Sequence, residues 1–221
     1  MDGRGDSYGA DLRVLKFGDR EVHPVAKHTL SEEYAAFLRQ HGRSTPDVYE
    51  MSPADADYFQ AQMQALKDSS RYSASVNVHS LEEYRNMRLF VTDDGKAGGA
   101  LRGDELLSLW AHKDGNYPHV SSALLGVRVS LGGRILNCFD TVLPDLYSFC
   151  GFKPTARLPW DDQYAPEGWD YGTYAKYNGG RPDVVFMTYE PGALGSRYEP
   201  GTGRVVDSYD AGVAAARDAA G

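Results

Sequence analysis

The segment from Met87 to Trp160 constrains the fold more than any other, because strand and helix patterns alternate along it at short intervals. It opens with MRLFVTDDGKAGGALRG, two β-like runs around Asp93-Asp94-Gly95-Lys96. An Asp-Gly pair supplies the positive φ angles of a tight hairpin. DELLSLWAHKDG then reads as a buried strand ending in a polar loop. In HVSSALLGVRVSLGG the apolar positions 120, 124, 127 and 131 fall at helical spacing, and Gly132-Gly133 stops the pattern. RILNCFDT is a short apolar strand ending at Asp140. LPDLYSFCGF is a short helix with Pro144 in its first turn and Gly151 at its end, and KPTARLPW is a further strand. Strands alternating with helices predict a mixed α/β sheet covered by helices.

The flanks read more simply. Residues 1–10 are expected to be a disordered tail, 11–190 a single domain with a helical N-terminal portion, and 191–221 a C-terminal extension with a short helix. LRVLKFG is a short strand. TLSEEYAAFLRQHG is a helix with Leu30, Tyr34, Phe37 and Leu38 on one face, Ser31 as cap and Gly42 as stop. SPADADYFQAQMQALKDSS is a second helix, with Ser52 at the N-cap and Pro53 in the first turn. YSASVNVHS alternates like a strand, SLEEYRNM makes one or two helical turns, and DVVFMTYEP is a last strong strand.

Composition narrows the function classes. The 221 residues carry a net charge of −8, which disfavours non-specific binding to phosphate backbones. No apolar run approaches the roughly 20 residues of a membrane span, so no membrane partner and a cytoplasmic location are expected. Cys138 and Cys150 form no metal-ligand pattern and read as free thiols in a reducing compartment. The RGDS at Arg4–Ser7 matches an integrin-binding tripeptide that chance explains better. There is no GxxxxGK[ST] loop, GxSxG elbow, HExxH pair or Rossmann fingerprint.

From about Met87 to Met187 the order of elements resembles the GNAT superfamily of N-acetyltransferases. LYSFCGF is similar to that family's tyrosine-x-x-x-glycine-phenylalanine signature, and YAPEGW and RPDVVFM are similar to a GNAT-like subgroup associated with phage and mobile elements. The resemblance implies a mixed, mostly antiparallel sheet with a V-shaped splay between the strands ELLSLWAH and RILNCFD. It also implies transfer of an acetyl group from acetyl-CoA, or another acyl-CoA, to an amine. The backbone at Leu109, Trp110 and Ala111 would hold the pantetheine arm. The loop that would hold the pyrophosphate reads HKDGNYPHVSSALL. Its single glycine, Gly115, and Pro118 depart from the family's glycine-rich pattern, with Lys113, Ser121 and Ser122 as substitute donors.

Amine acylation from a thioester needs a base for the amine and an acid for the leaving thiolate. The resemblance assigns the acid to Tyr147. On its own, Tyr147 reads as a core tyrosine on a short helix. Asp140, at a strand end, is a base or an N-terminal cap, and Glu105 is a base or an exposed strand-end carboxylate. Arg157, Tyr164 and Trp169 are candidate substrate contacts. The loop DDQYAPEGWDYGTYAKYNGGRPD either offers stacking faces or uses its aromatics to pin itself to the sheet. His112 and His119 are proton shuttles or surface polar groups, and no metal cluster is expected. The acceptor is a protein, a small amine or a nucleic-acid base, and an oligomer is possible. A non-catalytic binding or inhibitory module is the competing reading.

Overall fold

The computed structural model describes residues 12–221, so the expected N-terminal tail and the RGDS tripeptide lie outside the described residues. A two-stranded ribbon comes first, β1 (Leu15–Phe17) and β2 (Arg20–Val22). Then nine strands build one sheet. In chain order they are β3 (Pro24–His28), β4 (Val48–Met51), β5 (Arg88–Thr92), β6 (Ala97–Arg102), β7 (Glu105–Ala111), β8 (Ile135–Phe139), β9 (Cys150–Leu158), β10 (Val184–Leu194) and β11 (Arg204–Val205). Their spatial order is β11-β9-β10-β8-β7-β6-β5-β4-β3.

Pairing is antiparallel except for β7 with β8 and β9 with β11. The β5–β6 hairpin turns where Asp-Gly predicted: Gly95 sits at φ 69° and its N–H donates to Thr92 O at 3.0 Å. Strands β7 and β8 pair at one register position, Glu105 opposite Ile135, and diverge beyond it. That divergence is the expected V-shaped splay in a mixed, mostly antiparallel sheet.

Helices cover both faces. On the first lie α1 (Glu32–Gln40), α4 (Ser121–Ser130) and α5 (Leu143–Phe149), packed over a core that includes Leu106, Leu124, Leu136, Tyr147 and Phe152. On the second, α2 (Ala56–Ser69) and α3 (Leu81–Arg85) cover one wing with Phe59, Tyr84 and Trp110. There α6 (Tyr209–Ala220) covers the other wing with Phe186 and Ala216. Caps fix the helix starts: Ser31 Oγ accepts from Tyr34 N, and Ser80 with Glu83 forms a reciprocal capping box. No helix among the described residues is long and apolar enough to cross a membrane.

YSASVNVHS is not a strand. It forms one 3-10 turn at Ser73–Ser75 and otherwise extended chain. It pairs with no strand, and side chains satisfy two of its carbonyls: Tyr174 donates to Tyr72 O and Gln60 to His79 O. The short strands β3, β4 and β11 were not anticipated. β3 begins at a proline on the sheet edge, where a missing N–H costs nothing.

Candidate active site

The splay opens into a cleft of 1710 Å³. It is entered from the second face, between α2, α6 and the loop after β9, and it passes between β7 and β8 to reach residues of the first face. Glu105 and Leu109 from β7, Cys138 from β8, Arg128 from α4 and Tyr147 from α5 share its inner wall. A bulge marks β7 at this level: Gly98 pairs with Trp110 but Ala100 with Leu107, and Ser108 adopts φ 48°. The extra residue leaves backbone groups outside the β6 ladder beside the splay.

Tyr147 is 8% exposed, and its ring packs edge-on against Phe152. Burial raises its pKa, and the nearby Cys138 and Cys150 thiols add to this while Arg128 opposes it. Its hydroxyl makes no hydrogen bond among the described residues, so the proton stays on an oxygen with free lone pairs at the cleft wall. Glu105, at the vertex, is buried and accepts from Arg102 Nη2 at 2.7 Å.

Arg128 was missed. It is 0% exposed, and its Nη1 donates to Ala100 O at 2.9 Å and to Leu107 O at 3.0 Å. Its Nε donates to Leu124 O at 3.0 Å. Burial brings its pKa down to about 10. Gly99 on β6 makes the room: a Cβ there would sit 2.5 Å from the guanidinium carbon. Its neighbour Gly98 makes room for Trp110 instead, whose ring a Cβ would meet at 2.6 Å. The signal available in the sequence was a lone charge on the apolar face of HVSSALLGVRVSLGG.

The first face is closed where the pyrophosphate loop was expected to work. α1 lies across α4, with Tyr34 against Gly126, where any side chain would run into the ring. Tyr34 donates to Ser122 O at 3.2 Å, and Arg43 Nη1 donates to Ser122 Oγ at 2.8 Å. The Arg43 guanidinium lies 3.9 Å from the centre of the Phe149 ring, which also stacks on Phe37 at 5.1 Å. The loop's own groups are engaged as well. Asn116 N donates to Asp94 at 2.8 Å, Tyr117 to Asp93 at 2.7 Å, and Lys96 pairs with Asp114. Lys113 is exposed, Gly115 and Ser121 are half-buried, and Ser122 is fully buried. None of these four lines the cleft. Of the three β7 positions, Leu109 lines it, Ala111 packs with the first-face core, and the Trp110 ring points into the second-face core.

Asp140 and Arg157 open onto a separate cavity of 440 Å³ with Asp183 and Tyr198. Burial raises the Asp140 pKa. Asp140 does not cap α5, whose first turn has no side-chain cap. Tyr198 Oη faces Asp140 without a hydrogen bond of good geometry. Arg157 donates to Asp183 at 2.8 Å. The aromatic loop is pinned by its rings: Trp169 stacks on Tyr174 at 3.7 Å and 10°, with Trp160 and Phe139 against its other side. Tyr164 stays free, 83% exposed at the cleft mouth.

No protein-family model and no curated protein matches the sequence. Solved structures similar to it include a ribosomal-protein-alanine N-acetyltransferase from Brucella melitensis. That match is 14% identical with a TM-score of 0.44, covering 64% of this chain and 97% of the other. A putative acetyltransferase, yncA, from Salmonella typhimurium, solved with acetyl-CoA, is 12% identical with a TM-score of 0.45 over 72% of this chain and 99% of that one. Apo-form YjaB from Escherichia coli is 16% identical with a TM-score of 0.39 over 64% and 95%. At these values the functional reading rests on the geometry of the cleft.

Proposed function

We propose that the chain is an acyltransferase that moves an acyl group, acetyl in the simplest case, from a coenzyme A thioester to an amine. The observation that carries this reading is Tyr147, a buried tyrosine whose unbonded hydroxyl faces the splay between two parallel strands. The thioester end of the donor lies in the splay along β7. There the bulge at Ser108 leaves backbone groups free to meet charge developing on the thioester oxygen. The amine enters from the open face, past Tyr164. As it attacks, the C–N bond forms and the C–S bond breaks. The amine loses a proton to a carboxylate, and Glu105 is the one at the vertex of the same cleft. Tyr147 gives its proton to the departing thiolate. The phenol is protonated at neutral pH, as an unperturbed tyrosine already is, and burial raises its pKa further.

Calorimetric titration with acetyl-CoA, followed by thiol release in the presence of an amine panel, tests this directly. Binding and turnover are expected, with turnover at least about tenfold lower in Tyr147→Phe. An unchanged rate in that variant returns Tyr147 to the core.

The closed first face favours a second reading, a binding or inhibitory module on the same scaffold. Tyr34 and Arg43 already occupy the start of α4, and Asp94 accepts the Asn116 N–H of the loop before it. Absence of any acetyl-CoA binding at millimolar concentration selects this reading. For the acceptor, mass analysis of nucleosides from expressing cells separates a nucleic-acid base from a protein or small amine.

A further inference from the structure

We infer that Arg128 builds a carboxylate-binding subsite at the floor of the cleft, and that the reaction therefore takes a substrate carrying a carboxylate near its reacting end. The inference rests on the acyltransferase reading for the identity of that substrate, but the subsite rests on Arg128 alone. Other arginines near the cleft are paired: Arg102 with Glu105, Arg181 with Asp162 and Arg217 with Asp104. Arg128 has only neutral partners, the carbonyls of Ala100, Leu107 and Leu124, and its Nη2 has none. It is nevertheless wholly buried. A buried guanidinium without a counter-charge is costly, and an apolar side chain at position 128 would fill the same space without that cost. Gly99 is held free of any side chain by the guanidinium against it.

The geometry fits an anion arriving from the cleft. Nη1 and Nε are fixed by strand and helix carbonyls, so the guanidinium plane is set and Nη2 is the remaining donor. Nη2 is out of contact with water, so the carboxylate completes a pocket whose wall shifts as it enters. Arg128 and Tyr147 both line the cleft, so this charge and the hydroxyl assigned to the leaving thiolate share its wall. Two sources share the chemistry. One is the far carboxylate of a dicarboxylic acyl thioester. The other is the carboxylate of an amino-acid acceptor.

The test uses the full chain and four probes: acetyl-CoA, succinyl-CoA, glycine and glycinamide. If the acyl group supplies the carboxylate, succinyl-CoA binds at least about tenfold tighter than acetyl-CoA, the size expected of one charge-assisted hydrogen bond. If the acceptor supplies it, glycine exceeds glycinamide in kcat/KM by a similar factor. In either case Arg128→Met brings the preference to about one, with Arg128→Gln as the second variant. The wild-type ratios stand by themselves if neither variant folds. Binding of acetyl-CoA with both wild-type ratios near one overturns the subsite and leaves the acyltransferase reading intact. If no thioester binds, that reading fails. Thermal shift with succinate and glycine then decides the subsite: a wild-type stabilisation that the variants lose supports it, and none overturns it.

Discussion

The two faces of the splayed sheet carry the same kind of side chains to opposite ends. On the second face, α2 and α6 stand apart over the two wings, and the gap between them leads into the cleft. On the first face, α4 and α5 stand over the same two strands, but α1 lies across them, and Tyr34, Phe37 and Arg43 fill the gap. Two tyrosines mark the contrast: Tyr34 on α1, half-buried where the first face is closed, and Tyr147 on α5, buried at the wall of the cleft. Tyr34 spends its hydroxyl on Ser122 O, whereas Tyr147 spends its hydroxyl on nothing. The strands splay either way. What decides whether a splay is a site or a seam is which helix crosses it, and that is set by the segment before residue 45.

Removing the crossing helix's anchor breaks the comparison most severely. Tyr34→Ala leaves a hole between α1 and α4, with an expected loss of about 3 kcal/mol in urea unfolding. If α1 is what closes the first face, coenzyme A thioesters bind this variant tighter than wild type in calorimetry. Large destabilisation with unchanged binding shows that α1 is purely a packing element and that donors enter from the second face.

Matched Tyr→Phe changes sharpen it next. Tyr147→Phe removes a hydroxyl that bonds nothing, so unfolding is expected to move by less than about 0.5 kcal/mol while turnover falls at least about tenfold. Tyr34→Phe deletes a hydrogen bond to a carbonyl, so it costs about 1 kcal/mol of stability. Its turnover per folded molecule stays within about twofold of wild type, because it touches no atom of the cleft wall. Urea titration and single-substrate kinetics on the two variants read both quantities. Equal stability losses erase the distinction between the two tyrosines.

The elements that build the cleft were legible in the sequence, and the closure of the first face by α1 was not. Asp-Gly at Asp94-Gly95, the helical spacing of 120, 124, 127 and 131, and the proline and glycine around LYSFC are local signals, and each produced its element. The splay was expected from the family resemblance and not from these signals; with a helix between them β7 and β8 run parallel, and they pair at one position only. TLSEEYAAFLRQHG was readable as a helix, but nothing in its periodicity says which helices it crosses. That depends on Gly126, ninety residues later, leaving room for the Tyr34 ring. Arg128 was hidden for a related reason: a charge in a helix reads as solvated until a glycine on another element, here Gly99, is seen to face it. The segment YSASVNVHS alternated like a strand, but its Val76 and Val78 pack onto the second-face core and the chain pairs with no strand.

The smallest expected effect concerns Asp140, which lies on β8's far end in its own 440 Å³ cavity, outside the cleft that holds Tyr147. Burial raises its pKa in the folded chain above the unfolded value. Below the ordinary aspartate range the carboxyl is neutral in both states and contributes no difference. As pH rises through that range the unfolded chain ionises first, and the fold bears a penalty that is complete once the folded carboxyl also ionises. Asp140→Asn lacks the penalty, so its stability should match wild type in acid and exceed it at neutral pH, as read from urea midpoints across pH. Turnover decides what the residue is for. If the cleft works alone, Asp140→Asn keeps its rate. If the rate falls while stability rises, a proton leaves the amine through the second cavity, and the boundary between the two cavities is crossed during the reaction.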